Sequence, residues 1–273
     1  MKSRPQASAL TVRLYTAPVP RLTATIITRN ESANIDAAIE SVSWADEIVV
    51  VDADSTDDTP ERARRHRARV DVRPWPGFSA QKNYAASIAS NDWILSIDAD
   101  ERVTPELADE IRALLASEPP QRGYRVPRIS WYLGQWIRAT DWYPDYQLRL
   151  YDRRAGEWKE RRVHESVSLK SGEPGRLARD LQHFPYRDIS HHLQTIDRYT
   201  ALAADQMVAD GRVPSIAGVA LNPPFAFLRN YVLRGGFRLG GVGFVVSVLN
   251  SYYVFLKLAK AWAAPRASRL TPP

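Results

Sequence analysis

Four short apolar runs, separated by segments with helical patterning, dominate the chain between residues 22 and 98. Near-continuous apolar runs of this length are typical of buried strands, and the segments between them carry helical spacing or helix-start signals. Alternation of strand and helix with short connections predicts an α/β fold with a doubly wound, mostly parallel sheet and helices on both faces. The runs are LTATIIT (22–28), EIVVVD (47–52), VDVR (70–73) and WILSID (93–98).

Residues that favour helix starts follow three of these runs. Thr59 precedes Pro60 and Thr104 precedes Pro105, and each pair is followed by a glutamate, a pattern typical of an N-cap and first turn. Ser79 is a third candidate N-cap, for a helix that leads into the run at 93–98. These signals place a helix between successive strands, as a parallel sheet requires.

Polar and acidic side chains collect where the predicted strands end. The carboxyl ends of parallel strands meet in the crevice where open α/β sheets bind ligands, so these side chains are expected to lie together. Asp98 and Asp100 suit Mg²⁺ or Mn²⁺ bound with a polyphosphate, because a cation relieves the repulsion between converging carboxylates. Acids that only begin the helix at Thr104 are the alternative. The set comprises Thr28, Asn30, Glu31, Asp52, Asp54, Asp98 and Asp100.

Charge is distributed unevenly along the chain, whose formal net charge is +6. Residues 1–30 carry five basic residues and residues 211–273 carry eight, with no acid in either, whereas the body between them holds 24 basic against 31 acidic residues. An acidic body argues against nucleic-acid binding, and basic ends favour contact with an anionic membrane surface. The chain has no cysteine, which excludes disulfides and thiolate metal sites.

Residues 239–256 form a run of eighteen uncharged residues, LGGVGFVVSVLNSYYVFL, with basic residues on both flanks. Its glycines and Asn250 make it marginal for a membrane span, so we prefer an in-plane or re-entrant anchor over residues 222–262. A buried core helix is the alternative. We divide the chain into an irregular basic lead-in (1–21), an α/β domain (22–188) and a helical region with the anchor (189–273).

Three segments of the α/β domain carry a recognisable order of motifs. They are TATIITRNE, IVVVDADSTDDT and FSAQKNYAASIASNDWILSIDADERVTPEL. In this order they resemble the catalytic domain of family 2 glycosyltransferases with the GT-A fold, and most closely the bacterial lipopolysaccharide-core β-1,4-glucosyltransferases. The resemblance extends over about residues 22–262. Its further parts are QLRLYDRR, RRVHESVSLKSG, ISHHLQTIDRYTALAA and NSYYVFLKLAKAW.

The resemblance implies a nucleotide-sugar site at the strand ends. Asp98 matches the first acid of the metal motif, near the ribose, and Asp100 matches the direct metal ligand. Asp52 matches the acid that hydrogen-bonds uracil, Asp54 stands where the family often has glycine, and Lys82 is expected to face the nucleotide. The loop that borders base and ribose is matched by Thr28, Asn30 and Glu31.

An inverting transfer also needs a carboxylate that deprotonates the acceptor hydroxyl. The pair His164-Glu165 resembles a recurring pair of the family, so we expect Glu165 to be the base and His164 to lie near the metal or the acceptor. Asp141 and Asp145 are the other candidates. Aromatic and basic residues that could line an acceptor trough are Trp131, Trp136, Trp142, Tyr143, Arg138 and Arg149, with Trp142 and Arg149 foremost.

The activity implied is metal-assisted, inverting transfer of a hexose, glucose by resemblance, from a UDP-sugar to a lipid-linked or lipopolysaccharide-core glycan. The cellular location implied is the cytosolic face of the bacterial inner membrane. Two alternatives remain open from the residues. One is a membrane-bound nucleotide-sugar-binding protein without transfer activity. The other is a phosphoryl-transfer enzyme that uses Asp98 and Asp100, although Arg102 stands where a phosphatase motif of that kind has threonine or valine.

Overall fold

The computed structural model describes residues 20–159 and 166–269. Twelve strands and seven α-helices are found in these ranges. The strands are β1 (Leu22–Thr28), β2 (Glu47–Asp52), β3 (Arg69–Val72), β4 (Trp93–Asp98), β5 (Glu101–Val103), β6 (Gly123–Tyr132), β7 (Gln135–Ile137), β8 (Asp145–Asp152), β9 (Gly156–Lys159), β10 (Ser166–Leu169), β11 (Gly175–Arg176) and β12 (Leu181–His183). The helices are α1 (Ile35–Ser41), α2 (Thr59–Arg65), α3 (Phe78–Ile88), α4 (Pro105–Ala116), α5 (Ile189–Ala209), α6 (Ile216–Leu228) and α7 (Gly240–Ala263).

The main sheet has a parallel half and a mixed half. Its strand order is β3-β2-β1-β4-β8-β6-β12-β5, and β3, β2, β1 and β4 are parallel. From β4 onward the pairing becomes antiparallel to β8 and from β8 to β6, while β12 runs parallel to β6 and antiparallel to β5. The predicted mostly parallel α/β sheet is confirmed, and the mixed half extends it.

Helices cover both faces of the parallel half. On one face, Ile35 and Ile39 of α1 and Leu107 of α4 belong to the large apolar core with Ile26 and Val50. On the other face, Ala85 of α3 packs against Val49 and Val51 of β2. This arrangement follows from strands that are apolar on both sides, as in β2, because each side must be buried by a helix. The prediction of helices on both faces is confirmed.

The predicted helix starts are correct to within two residues. Thr104 is the N-cap of α4, and its hydroxyl accepts a hydrogen bond from the Leu107 backbone N–H. In α2 the N-cap is Asp58 and Thr59 is already helical, so the prediction was wrong by one residue. In α3 the N-cap is Gly77, and Ser79 is a buried helical residue. Gly77 has φ 111°, a conformation open to glycine that turns the chain into the helix earlier than the Ser79 signal indicated.

Helices α5 and α7 pack onto the mixed half of the sheet, and α6 packs against α7. Residues Arg229–Leu233 form a π-helical turn after α6, and Gly236–Leu239 form a 3₁₀ turn that leads into α7. Helix α6 therefore returns along α7 as a helical hairpin, which we call the α6–α7 hairpin (216–263). Val246 and Leu249 of α7 belong to one apolar cluster with Tyr132 and Ile137 of the sheet. A Cβ atom added at Gly243 would lie 1.8 Å from the Gly236 carbonyl oxygen, so only glycine permits this close packing.

Candidate active site

The loops after β1 and β2 are tied together at the carboxyl edge of the sheet. The backbone N–H of Asn30 donates to Ser55 Oγ at 2.8 Å, and the Thr56 N–H donates to Asn30 Oδ1 at 2.8 Å. Asn30 and Asp54 both have positive φ values, 54° and 50°, which asparagine and aspartate tolerate better than most residues. Asn30 and Asp54 are exposed at this edge, where a nucleotide could contact them.

Asp52 and Thr28 lie deeper than the sequence suggested. Asp52 has no exposed surface, and its two carboxylate oxygens accept from the backbone N–H and the hydroxyl of Ser55, at 2.8 and 2.5 Å. Asp52 therefore holds the loop at Ser55, and its contact with uracil stays a prediction. Thr28 is buried, and within the described residues its hydroxyl has no hydrogen-bond partner.

Asp98, at the end of β4, accepts from two buried cations. Lys82 of α3 is only 2% exposed, and its Nζ lies 2.9 Å from Oδ1 of Asp98. The guanidinium of Arg149, on β8, donates to Oδ2 of Asp98 at 2.7 Å. Lys82 also lies over the Trp158 ring, 4.4 Å from its centroid, so its ammonium has a second favourable contact. Lys82 thus faces the predicted site and is not a surface lysine.

The ion pairs continue from Asp98 to the far side of the site. Arg149 also donates to the buried carboxylate of Glu101 at 2.5 Å, and Arg128 donates to the same carboxylate at 3.0 Å. Arg128 in turn donates to Asp145 at 2.6 Å. Signs alternate along this chain of six residues, so each buried charge has a neighbour of opposite sign. We call the set the charge relay: Lys82, Asp98, Arg149, Glu101, Arg128 and Asp145.

The charge relay holds its aspartates ionised. Burial alone would raise the pKa of Asp98, but the charges of Arg149 and Lys82 bring that pKa well below its usual range. Burial likewise opposes ionisation of Asp145, yet Arg128 and the hydrogen bond from Gln147 lower its pKa. The relay therefore provides fixed charge and not a proton acceptor at neutral pH.

Asp100 pairs with a histidine and not with a lysine or arginine in the described residues. Its side chain is 28% exposed, and His183 of β12 places Nε2 3.4 Å from Oδ2 of Asp100. Burial raises the pKa of Asp100, but His183 outweighs it and the net shift is downward. Burial raises the pKa of nearby Glu31, and the negative charge of Asp100 adds to that effect. Asp100 is therefore held ionised, with Glu31 as a second acid nearby and Arg102 interacting with both.

The donor set at Asp100 fits a divalent cation. Within residues 20–159 and 166–269, no group of three or more His, Asp or Glu side chains is arranged to hold a metal ion. The Asp100 carboxylate is nevertheless a suitable ligand for Mn²⁺ or Mg²⁺ when phosphate oxygens and water complete the shell, and the His183 imidazole suits Mn²⁺ better than the harder Mg²⁺. His183 was not singled out by the sequence, where it precedes Phe184 in an unremarkable short strand. His164 lies outside the described residues, and its role stays a prediction.

A cavity of about 270 Å³ opens beside Asp100 and His183. It is polar, and Trp142 and Tyr186 give it two aromatic walls. The Trp142 indole N–H donates to Asn250 Oδ1 of α7 at 3.0 Å, which fixes the ring. The lining residues are Arg128, Ser130, Asp141, Trp142, Asp145, His183, Pro185 and Tyr186.

Asp141, on the wall of this cavity, is bound by the α6–α7 hairpin. Its carboxylate pairs with Arg229 and, at 2.8 Å, with Arg234. The buried Asn230 side chain accepts from the Asp141 N–H at 2.7 Å and donates to its carboxylate at 2.9 Å. The preceding residue, Thr140, has φ 67° although it is β-branched, a strained conformation that this network holds in place. The hairpin thus sets one wall of the cavity.

The sequence placed some site residues correctly and others not. Arg149 was expected to grip the acceptor, but its side chain is buried within the charge relay, away from an acceptor trough. Trp131 and Trp136 pack edge to face with each other and do not line the cavity. Glu165 lies outside the described residues, so its assignment as base stays a prediction. The missed residues, Arg128 and His183, become recognisable only once distant strands pair.

Comparison with known proteins places the chain among glycosyltransferases. Residues 23–168 match the family described as Glycosyl transferase family 2. The lipopolysaccharide core biosynthesis glycosyltransferase LpsC of Rhizobium meliloti is 32% identical over 88% of this chain and 92% of its own. The glycosyltransferase RP128 of Rickettsia prowazekii is 33% identical over 86% of this chain and 84% of its own.

Solved structures match over a smaller part of the chain. Glucosyl-3-phosphoglycerate synthase from Mycobacterium tuberculosis, solved with Mn²⁺, UDP and glucosyl-3-phosphoglycerate, has a TM-score of 0.35 and 26% identity. The match covers 42% of this chain and 45% of that one. The same enzyme was also solved with Mg²⁺ and UDP, and that match has the same TM-score and covers 44% of its chain.

Proposed function

The chain belongs to glycosyltransferase family 2, and we propose that it transfers a hexose, glucose by resemblance, from a UDP-sugar to a lipid-linked or lipopolysaccharide-core glycan with inversion. The observation that carries this proposal is Asp100, which follows the buried parallel strand β4, is partly exposed, and lies near His183 and near Glu31 of the loop after β1. Family membership and the relatives favour glycosyl transfer over the phosphoryl-transfer alternative.

The residues at the strand ends suit a nucleotide diphosphate. Asn30 and Asp54 offer exposed polar groups for the uridine, and Lys82 and Arg149 supply positive charge beneath Asp98. Asp100 and His183 would hold Mg²⁺ or Mn²⁺. When bound, such a cation neutralises charge on a departing diphosphate. Of the metal ligands expected from the sequence, this proposal keeps Asp100. Asp98 is already neutralised by Lys82 and Arg149, and its proposed role is to position these two side chains.

Glu165 is our candidate for the base that deprotonates the acceptor hydroxyl. The two alternative carboxylates are poorly suited, because Asp145 is bonded to Arg128 and Asp141 to Arg229, Asn230 and Arg234. A carboxylate stabilised by arginine accepts a proton reluctantly, as the lowered pKa of Asp145 reflects. Glu165 directly precedes β10, in the second sheet formed with β9.

The cavity bounded by Trp142 and Tyr186 is the proposed acceptor site. Sugar rings pack against aromatic faces, and Asp141 and Asp145 offer acceptors for hydroxyl groups. A lipid-linked acceptor is retained in a membrane while UDP-sugars are soluble, so we place the protein at the cytosolic face of the bacterial inner membrane. The helical segment Gly236–Arg266, which consists of α7 and the short turns at its two ends, has the length and mean hydropathy (1.6) of a membrane helix. In the most apolar 18 residues of this segment, 22% of the residues are buried.

A nucleotide-sugar screen tests the function. Thermal unfolding would be measured with UDP-glucose, UDP-galactose and ADP-glucose, each with and without Mn²⁺. A donor present at about 100 times its Kd should stabilise the fold by about 2.7 kcal/mol. We expect a UDP-sugar to raise Tm only with the metal and to be consumed when a lipopolysaccharide-core acceptor is added. Donor binding without any transfer or hydrolysis would support the alternative of a binding protein without activity.

A further inference from the structure

The α6–α7 hairpin exposes an unusual amount of apolar surface. Of the twenty large apolar side chains that are exposed among the described residues, eleven lie between residues 216 and 255. Monomeric soluble proteins rarely expose contiguous apolar patches of this kind. The eleven are Ile216, Leu221, Phe225, Leu228, Val232, Leu233, Phe237, Phe244, Val248, Tyr252 and Phe255.

These side chains lie on one side of the hairpin. On α7 the exposed residues Phe244, Val248, Tyr252 and Phe255 recur every three or four positions, which is a single helical stripe. The stripe joins α6 through ring contacts of Phe244 with Phe227 and Tyr231. The exposed face is therefore continuous across both helices.

The opposite side of α7 is bonded to the catalytic domain. Asn250 accepts from the Trp142 indole and donates to Asn230 at 3.3 Å, and Val246 and Leu249 pack with Tyr132. About 36 Å of helix, from 24 residues, would be long enough to cross a bilayer. A crossing helix, however, would be surrounded by lipid and would lose these contacts. The length of α7 would therefore permit a membrane span, but its packing against the sheet opposes one.

Basic charge borders the face, although part of it is already paired: Arg229 and Arg234 bind Asp141, and Lys260 binds Asp197. No acidic residue follows Asp210, and eight basic residues do. Arg238, on the 3₁₀ turn beside the exposed Phe237, forms no ion pair within the described part of the chain. A basic surface bordering an apolar one matches the interface of an anionic bilayer, where each cation close to the surface contributes about 1 kcal/mol.

From these observations we infer that the α6–α7 hairpin binds an anionic phospholipid bilayer and lies in the plane of that bilayer. Helix α7 is then parallel to the membrane surface, and the eleven exposed apolar side chains are inserted. This inference deepens the membrane location of the proposed function. Through Asn230 the same hairpin holds Asp141, which lines the proposed acceptor cavity, so membrane binding by the hairpin would keep that cavity close to the lipid.

Sedimentation of full-length protein with vesicles tests the binding. The probes are vesicles of phosphatidylethanolamine with phosphatidylglycerol, and vesicles of phosphatidylcholine alone. We expect binding to the first to exceed binding to the second by tenfold or more, and Leu233→Asp to reduce it by a similar factor. Val72→Asp is the matched control, because Val72 is exposed on the distant edge strand β3. Failure to bind either vesicle overturns the inference, as does a dimer in solution that buries this face and leaves the protein unbound.

The depth of single labels distinguishes lying in the plane from crossing. The chain has no cysteine, so Phe244→Cys, Val248→Cys, Tyr252→Cys and Phe255→Cys each accept one fluorophore without background. In-plane binding predicts equal, shallow depths at all four positions. Depths that increase toward the middle of α7, or labels accessible from opposite sides, overturn it.

These outcomes are independent of the chemistry. Hydrolysis of UDP-sugar by Leu233→Asp should remain as in the parent protein, since Leu233 is 71% exposed and outside the catalytic site. Lost binding with intact hydrolysis would implicate the face alone. Absence of both in the parent protein would refute the proposed function instead.

Discussion

The ammonium of Lys82, a residue that is only 2% exposed, lies 2.9 Å from Oδ1 of Asp98. Arg149 occupies the other oxygen, so the first acid of the Asp-Ala-Asp motif is neutralised from beneath by the protein itself. Asp100 is as exposed as Asp98, but in the described residues its carboxylate pairs only with His183, at 3.4 Å, while Arg128 and Arg102 act on it from farther away. The two acids of the motif therefore have different environments, and substitutions at them should have different effects.

Asp98→Asn should mainly reduce stability. Lys82 and Arg149 would then lie buried without their shared counter-charge, and breaking a buried pair costs 3–5 kcal/mol. Because Asp98 is 29% exposed, we expect about 3 kcal/mol, measured by urea unfolding. Asp92→Asn, which removes only surface ion pairs with Arg153 and Arg154, is the control and should cost less than about 1 kcal/mol. Equal losses in the two variants would contradict the charge relay.

Asp100→Asn should abolish metal-dependent activity with little change in stability. The carboxylate charge serves the cation, and its ion pair in the described residues is the 3.4 Å contact with His183, so the fold should lose less stability than it does in Asp98→Asn, which leaves two buried cations unpaired. His183→Gln should raise the Mn²⁺ concentration for half-maximal activity by about 10–100-fold. Activity would be titrated with Mn²⁺ alongside a thermal melt of each variant. Near-normal turnover of Asp100→Asn at moderate Mn²⁺ would show that the metal lies elsewhere.

Glu165→Gln should leave donor binding nearly unchanged and reduce transfer by about 10²–10⁴-fold, the usual contribution of a general base. Glutamine keeps the size of the side chain but cannot accept the proton. Asp141→Asn and Asp145→Asn, measured in the same transfer assay, are the comparison. If transfer survives in Glu165→Gln and is lost in one of these two, the base belongs to the cavity wall.

Trp142→Ala should raise the KM for the acceptor while donor hydrolysis is retained. The indole forms one wall of the cavity and is held by Asn250. Trp131→Ala removes an equally large ring that does not line the cavity, and its acceptor KM should stay unchanged. Trp142→Phe, which lacks the indole N–H, should fall between the two. An unchanged KM in Trp142→Ala would place the acceptor outside this cavity.

Stability should fall as the pH decreases below the pKa of an unfolded aspartate, about 3.9. Asp98, Asp100 and Asp145 all have lowered pKa values in the fold, so their contribution is fully present above that value and is lost during acidification. Glu31, whose pKa is raised, acts in the opposite direction. Urea midpoints measured across this range provide the check. A midpoint that is constant or rises toward low pH would contradict the ionised relay.

The parallel half of the sheet could be predicted from the sequence, because its strands are buried on both sides and read as apolar runs. The observed bounds of β1, β2 and β4 coincide with the predicted runs. The mixed half could not be predicted, since β5, β7 and β11 are two or three residues long and their pairing is set by distant neighbours. The family resemblance, carried by motifs in the parallel half, is confirmed.

The site divides in the same way. Asp98, Asp100 and Lys82 follow from local motifs, and the structure brings them to one edge. Arg149 contacts Asp98 across 51 positions of sequence, and only strand pairing reveals that its charge lies under the site and not in an acceptor trough. His183 reaches Asp100 because β12 is inserted between β6 and β5. No spacing rule in the sequence connects these residues.

The exposed stripe of α7 has a kinetic consequence. An enzyme held flat on a bilayer meets its acceptor by lateral diffusion, so its rate depends on how many acceptor molecules occupy each unit of membrane area. Adding inert phospholipid at constant total acceptor should then slow transfer, although nothing in the bulk solution has changed. The rate of hydrolysis of a soluble UDP-sugar should not change with this surface dilution, because the donor reaches the enzyme from water.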